Sequence, residues 1–286
     1  MLAERKPEWI RARLPVGEAW QRVQNSLGQH GLSTVCDEAR CPNKGECWGA
    51  GTAAFMIMGD LCTRACRFCA VATAREGRPL REDEGGALAD AALELGLGYL
   101  VLTSVDRDDL ADRGAGHFAR CIAALKDRVQ DIQVEALVPD YTREELALFA
   151  ASPPDVLAHN VETVRSLQKV RDPRAGFDQS LATLRAAKGL GMALTKTSLL
   201  LGLGETEAEV LSAMDEIRAA GVDILVMGQY LRPSAAQIPV SEYLPPERFA
   251  RYGEEGRKRG FAAVVSAPLA RTSYHAREAL GGGRAG

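Results

Sequence analysis

At 286 residues, with 46% hydrophobic and 26% charged, the chain has ordinary globular composition and enough length for a substantial core. A net charge of −3 gives no reason to expect bulk binding to nucleic acid or to a membrane surface. No window approaches the ~18 apolar residues of a membrane span, and the opening MLAERKPEWIRARLPVG lacks the apolar run of a secretory signal. A soluble, cytoplasmic protein is expected, where thiols stay reduced and clustered cysteines bind metal or do chemistry.

Residues 1–53 show no strand–helix repeat and read as an N-terminal extension. From residue 54 onward β-rich runs alternate with amphipathic ones. The strands expected are AFMIMG (54–59), GYLVLTS (98–104), IQVEALV (132–138), DVLAHN (155–160), ALTKTSLLLG (193–202) and VDILVMGQ (222–229). Between them GALADAALELG, GHFARCIAALKDRV, REELALFAA, FDQSLATLRAAKGLG and EAEVLSAMDEIRAAG repeat apolar residues at helical spacing. Six such units over 54–245 predict an α/β fold with a parallel sheet. Periodicity leaves open a partial barrel or a doubly wound sheet; in both, chemistry sits at the C-terminal ends of the strands. Residues 246–286 read as a C-terminal extension: a helix (PPERFARYGEEGRKRG), an apolar FAAVVS, then PLARTSYHA and a mobile tail, GGGRAG.

Six of the seven cysteines fall within 34 residues, in two groups of three: Cys36, Cys41 and Cys47, then Cys62, Cys66 and Cys69. A closed zinc site wants four ligands, and paired C-x2-C units are its usual form; only Cys66 and Cys69 have that spacing. A cubane iron–sulfur cluster also takes four outer ligands, so three thiolates leave one iron open to a substrate or cofactor. The second triad, C-x3-C-x2-C, directly follows the first expected strand, which would put it at the mouth of the fold.

CTRACRFC at the head of six strand–helix units resembles the radical S-adenosylmethionine superfamily. KPEWIRARLP, the C-x4-C-x5-C triad, MGDLCTRACRFCAV, LTSVDRDDLAD, HNVETV, TKTSLLLGLGET, GQYLRPS and RTSYHA, in that order, resemble the lipoyl synthases over residues 6 to 277. The resemblance implies a partial (βα)6 barrel of TIM type and two 4Fe–4S clusters. The cluster on Cys62, Cys66 and Cys69 would bind S-adenosylmethionine and generate a 5′-deoxyadenosyl radical. The one on Cys36, Cys41 and Cys47 would be an auxiliary cluster that gives up sulfur. The implied reaction inserts sulfur at carbons 6 and 8 of an octanoyl-lysine and consumes two molecules of S-adenosylmethionine. Implied partners are octanoylated lipoyl carrier domains or the glycine-cleavage H protein, an electron donor such as flavodoxin or ferredoxin, and a cluster-repair protein. No nucleic acid or membrane partner is implied, and a monomer is expected.

Further positions carry over from the resemblance. Ser273 would be the fourth, oxygen ligand of the auxiliary cluster, although Thr272 beside it also has a hydroxyl. Phe68 would lie near adenine. Thr103 and Ser104 would meet the methionine amino group, and Asn160 and Glu162 the ribose or methionine. Lys196 would reach a carboxylate, and Arg232, in QYLRP, would lie near the adenine. Departures concern loop geometry: the segment KVRDPRAGFDQSL is slightly altered from the usual pattern, and at two single positions Arg113 and Ala267, the latter before Pro268, stand where the family usually has glycine.

Outside these motifs plainer roles are expected. Cys121 reads as a core thiol, His30 and His117 as surface or helix-end residues, and His159 as a hydrogen-bonded strand end. The acidic run at 81–86 reads as a solvated helix start, and Trp9, Trp20 and Trp48 as packing the extension onto the barrel. Two other classes compete: a methylthiotransferase, which usually carries an added RNA-binding domain, and a zinc-binding cysteine-rich module, which would be colourless.

Overall fold

The computed structural model describes residues 6–11, 17–49 and 53–273; Tyr274 and the tail after it lie outside the described residues. In chain order the elements are α1 (Glu18–His30), β1 (Ser33–Thr34), α2 (Val35–Glu38), α3 (Lys44–Gly49), β2 (Ala54–Ile57), β3 (Leu61–Cys62), β4 (Ala72–Thr73), α4 (Glu84–Leu95), β5 (Tyr99–Ser104) and α5 (Ala115–Arg128). There follow β6 (Gln133–Leu137), α6 (Arg143–Ala147), β7 (Val156–Ala158), α7 (Phe177–Gly189), β8 (Leu194–Leu201), α8 (Glu207–Ala219), β9 (Ile224–Gln229), α9 (Pro246–Lys258) and β10 (Ala263–Ser266).

All six expected strands form. They pair side by side in the order β1-β2-β5-β6-β7-β8-β9-β10, parallel throughout except for β1. The order never reverses, as it would in a doubly wound sheet, so the strands curl one way into a partial barrel. The sheet is longer than expected at both edges. β1 adds an antiparallel strand beside β2, and the FAAVVS segment, read as lying outside the repeat, adds β10 in parallel register with β9.

Strand side chains alternate between two destinations. On β8, Leu199 and Leu201 pack outward with Leu181, Val210, Ile217 and Phe249 of the covering helices. Lys196 and Ser198 face inward. Both faces are buried, which is why these strands read as near-continuous apolar runs. The helices start where short polar residues recur: Thr142 and Thr206 each accept the N–H of a glutamate three residues on, closing capping boxes on α6 and α8.

Of the two single-position departures, Ala267 sits in ordinary backbone, since it is not among the residues with positive φ. Arg113 does carry the left-handed conformation that favours glycine, at φ 50°. Its guanidinium offsets that strain, bonding Asp140 Oδ1 (3.1 Å), the Asp140 carbonyl (3.0 Å) and the Glu145 carboxylate.

Two assignments of polar residues change. His117 is not a surface residue: it is 5% exposed, with Nε2 2.6 Å from Glu84 Oε2. Glu84, in the run read as solvated, is equally buried and also accepts the Met58 N–H at 3.1 Å. Cys121 is a core thiol, 1% exposed. Trp20 and Trp48 stack on each other with centroids 4.5 Å apart, whereas Trp9 is 43% exposed.

Candidate active site

The loop carrying Cys62, Cys66 and Cys69 leaves the end of β2 through a sharp turn. Met58 and Gly59 both take positive φ, 66° and 85°, and the Glu84 carboxylate holds the Met58 N–H. The loop is then pinned by charge. Arg64, 5% exposed, makes a bidentate pair with Asp108, bonds Asp140 Oδ1 at 2.8 Å and lies 3.4 Å from Asp106 Oδ1. Asp172 accepts the Ala65 N–H at 3.0 Å, and its carboxyl is held well below the usual range, chiefly by Arg174. These groups come from the ends of β5, β6 and β7, so the loop is fixed at the C-terminal mouth of the barrel.

Backbone N–H groups point at the sulfurs. Arg64 N lies 3.4 Å from Cys62 Sγ and Asp172 N 3.3 Å from Cys66 Sγ. Burial pushes the free thiols of Cys62 and Cys66 up to about 12 and raises Cys69 as well. Such thiols stay protonated alone and lose the proton only to a metal, which is then part of the folding balance.

A cavity of about 230 Å³ opens over this triad, walled by Phe68, Thr103, Ser104, Asn160, Glu162 and the three thiols. Ser104 Oγ and Arg171 Nε on the same wall are buried and have no partner. Glu162 is held at φ 71° by backbone bonds to Ser198 and Leu200, a strained conformation for a side-chain-bearing residue. Burial raises its carboxyl pKa. His159 is buried beneath: Nδ1 must donate to the Val138 carbonyl (2.9 Å), so Nε2 accepts from Ser180 Oγ (2.8 Å). Burial holds this imidazole down at about 4, neutral at physiological pH.

A second cavity, about 240 Å³, shares Phe68, Cys69, Asn160 and Glu162 with the first. Its walls bring in Cys36 and Cys41 from the N-terminal extension and Arg271, Thr272 and Ser273 from the chain's far end. Two contacts make that meeting. Asn43 Nδ2 donates to the Leu269 carbonyl at 2.7 Å, across 226 residues. The C-terminal segment also crosses the end of β9 at Gly228, where a Cβ would lie 2.0 Å from the Ala270 carbonyl oxygen. Thr272 Oγ1 is engaged inward, donating to Asn160 Oδ1 (3.0 Å) and sharing a hydrogen bond with Ser198 Oγ (3.1 Å). Ser273 is half-buried on the cavity wall.

Two expected cofactor contacts lie elsewhere. Lys196 does reach a carboxylate, but that of Glu135: Nζ is 3.0 and 2.9 Å from its oxygens, with Tyr99 donating at 2.7 Å. The pair is 1% exposed, plugs the barrel interior and lines neither cavity. Arg232 bonds its own loop at the Gln237 and Ala235 carbonyls and is also absent from both walls. Conversely, Arg64, Asp140, Arg171 and Asp172 were not among the expected site residues, and Asp106 was noted only as part of the LTSVDRDDLAD motif. Their signal was present: ionisable residues inside the second triad and just beyond strand ends.

Comparison with known proteins agrees with this geometry. The radical SAM superfamily matches residues 56–217, and the N-terminal domain of lipoyl synthase of the radical SAM family matches residues 2–41. A lipoyl synthase of Anaeromyxobacter sp. is 52% identical over 97% of this chain and 95% of its own length. One of Marinobacter nauticus is 51% identical over 96% of this chain and 80% of its own. Among solved structures, methylornithine synthase is similar in fold alone, with a TM-score of 0.60 at 15% identity, over 73% of this chain and 63% of that longer one. With both lipoyl synthases matching it nearly end to end, the chain belongs to the lipoyl synthase family of radical S-adenosylmethionine enzymes.

Proposed function

We propose that the chain converts a protein-bound octanoyl-lysine to the lipoyl group by inserting sulfur at carbons 6 and 8, with two S-adenosylmethionine consumed and the sulfur drawn from an auxiliary cluster. The observation that carries this reading is that Cys62, Cys66 and Cys69 line one cavity, Cys36 and Cys41 line a second, and the two share Phe68, Cys69, Asn160 and Glu162 on their walls.

Both triads suit iron–sulfur ligation better than a single zinc ion. Among the described residues one three-ligand group has its atoms all within 4.8 Å, and it is Glu84, His117 and Cys121. The thiols of neither triad are gathered that tightly, whereas sulfurs ~2.3 Å from one tetrahedral zinc stand within about 4 Å of each other. Glu84 and His117 already bond each other directly, so that group is satisfied without an ion. The N–H groups aimed at Cys62 and Cys66 are suited to thiolate ligands.

Cys62, Cys66 and Cys69 would hold the cluster that binds S-adenosylmethionine. Cys36, Cys41, Cys47 and Ser273 would hold the auxiliary cluster. Thr272 is spoken for by Asn160 and Ser198, which favours Ser273 as the oxygen ligand. The partnerless Ser104 hydroxyl and Arg171 Nε–H suit an ammonium and a carboxylate, and Phe68, Thr103, Asn160 and Glu162 border the same space. When bound, the clusters and S-adenosylmethionine supply one-electron chemistry on unactivated carbon.

The chain's own residues supply position and dryness. Leu200, Val226, Tyr230 and Leu231 give the second cavity an apolar wall that fits an acyl chain and excludes water. Phe68 and Cys69 face both cavities, so a chain lying along them is within reach of either triad. An oxygen ligand at Ser273 is a poorer match for iron than a thiolate, and so the natural place to open the auxiliary site. A consumed cluster calls for a repair partner, and a one-electron step for a donor such as flavodoxin or ferredoxin. The carrier would be a lipoyl domain or the glycine-cleavage H protein, met by a monomer. All seven cysteines are free thiols, which suits the cytoplasm, and among the described residues no helix is long and apolar enough to cross a membrane.

The test is a mass spectrum of an octanoyl-lysine peptide after anaerobic incubation with the iron- and sulfide-reconstituted protein, S-adenosylmethionine and a strong reductant. Gain of two sulfurs with loss of the matching hydrogens is expected. An unchanged peptide with 5′-deoxyadenosine still formed would keep the radical chemistry and discard the substrate.

A further inference from the structure

Four stretches of chain meet around Phe68 and Cys69, which face both cavities. The Arg67 N–H donates to the Val170 carbonyl at 2.8 Å, and the Ile238 N–H donates to the Arg67 carbonyl at 3.1 Å. Gln237 Nε2 donates to the Cys69 carbonyl at 3.1 Å. Phe68 and Ile238 pack on the apolar cluster of Val170, Tyr230 and Val240. Arg40, Leu231 and Pro233 share the wall of the second cavity with Phe68. Residues 39–42, 65–70, 166–171 and 231–240 thus gather at that cavity.

Their charge has one sign. The four stretches hold Arg40, Arg67, Lys169, the buried Arg171 and Arg232 but no aspartate or glutamate, in a chain whose net charge is −3. Arg40, Arg67, Lys169 and Arg232 are exposed. Among the described residues none of these four pairs with a carboxylate, and Arg232 bonds only carbonyls of its own loop. Surface arginines elsewhere are neutralised, as Arg165 is by Asp178 and Arg251 by Glu207. Uncompensated cations around an opening attract an anionic partner and speed its encounter. The amide of an acylated lysine is uncharged, so the anion must lie on the protein that bears it. A lysine-borne chain enters a cavity only when that protein's surface settles on the opening.

We propose that Arg40, Arg67, Lys169 and Arg232 form a docking rim for a protein surface that is acidic around its octanoyl-lysine. This rests on the reading of the second cavity as the acyl site and adds which face of the carrier it accepts. It also gives Arg232 a role outside the cofactor site.

The probes are two octanoyl-lysine peptides of equal length. The modified lysine is flanked on each side by four glutamates in one and by four glutamines in the other, reaching ~13 Å either way when extended. Each is incubated anaerobically with the full, cluster-reconstituted chain, S-adenosylmethionine and a strong reductant, and the two-sulfur product is followed by mass spectrometry. The parent is expected to convert the glutamate peptide with kcat/KM about tenfold higher, through KM, and to lose that preference at high salt, since exposed pairs are individually weak and screened. Arg67→Glu combined with Lys169→Glu removes no side-chain bond within the described residues. It should abolish the preference while the glutamine peptide and 5′-deoxyadenosine formation are unchanged; Arg67→Gln with Lys169→Gln should weaken it. If neither peptide gains sulfur while 5′-deoxyadenosine still forms, the substrate reading fails and the rim with it. If the parent converts both peptides equally, or its preference survives high salt or the charge reversal, the substrate reading stands and the rim is overturned.

Discussion

Cys62, Cys66 and Cys69 stand in a shell of charge, with Arg64 shared among three aspartates and Asp172 clasping the loop backbone. Cys36, Cys41 and Cys47 stand instead on stacked indoles and on one long-range amide contact to the chain's end. The first arrangement is rigid and costly to disturb, since buried charges lose heavily when one partner goes. The second is held by packing and a few hydrogen bonds, with a half-buried serine on its open wall. A site that must keep its metal through every turnover would need the first construction. A site that is opened and rebuilt would need the second.

That contrast is open to direct attack. The largest effect should come from Arg64→Ala, which leaves Asp106 without its cation, Asp108 with Arg174 alone and Asp140 with Arg113 alone, and should cost about 3–5 kcal/mol. Urea unfolding would read it, and iron uptake in a chain lacking the first triad should be lost; unchanged stability would break the comparison at its root.

Acid should find the same half of the molecule. His159 titrates near 6.5 when unfolded and at about 4 when folded, so the unfolded state binds the extra proton between those values. Stability is complete above pH 6.5 and falls by about 3 kcal/mol as the pH drops towards 4. Urea midpoints of the cluster-free protein at pH 7 and 4.5 should diverge less in His159→Gln than in the parent.

Gly228→Ala aims at the other side. Its Cβ would press the Ala270 carbonyl at 2.0 Å and Arg271 Nη1 at 2.8 Å, moving the segment that bears Ser273. A cost of about 1–3 kcal/mol is expected, with sulfur transfer falling while 5′-deoxyadenosine is still formed. Loss of both products together would mean the two sides are not separable. Asn43→Ala is the mildest, removing one hydrogen bond worth about 1 kcal/mol. Iron should leave the first triad faster under a chelator, with the second triad unaffected.

The barrel was legible because parallel strands buried on both faces and amphipathic helices each announce themselves within a short window. The cysteine triads were legible because their spacing is local. Glu84 and His117 do stand at helix starts, as expected, but their burial was misread for the opposite reason. Charged residues beside a helix start are usually solvated, and only the packing of α4 against α5 turns these two inward. Lys196 was expected to meet a cofactor; its carboxylate partner is Glu135, which lies two strands away, and no spacing names it. β10 was missed because a short apolar run has no period to separate a strand from loop packing.

By itself, the sequence determined which residues can hold iron, where the strand–helix units fall, and that two triads are present. It could do so because ligand spacing, capping and periodicity are properties of neighbours along the chain. Only the tertiary structure decided that residues 36–41 and 271–273 share a wall, that the two cavities join at Phe68 and Cys69, and that Thr272 turns inward while Ser273 does not. Those facts depend on a sheet that closes contacts across more than two hundred residues, and no local pattern encodes which distant side chains its curl will bring together.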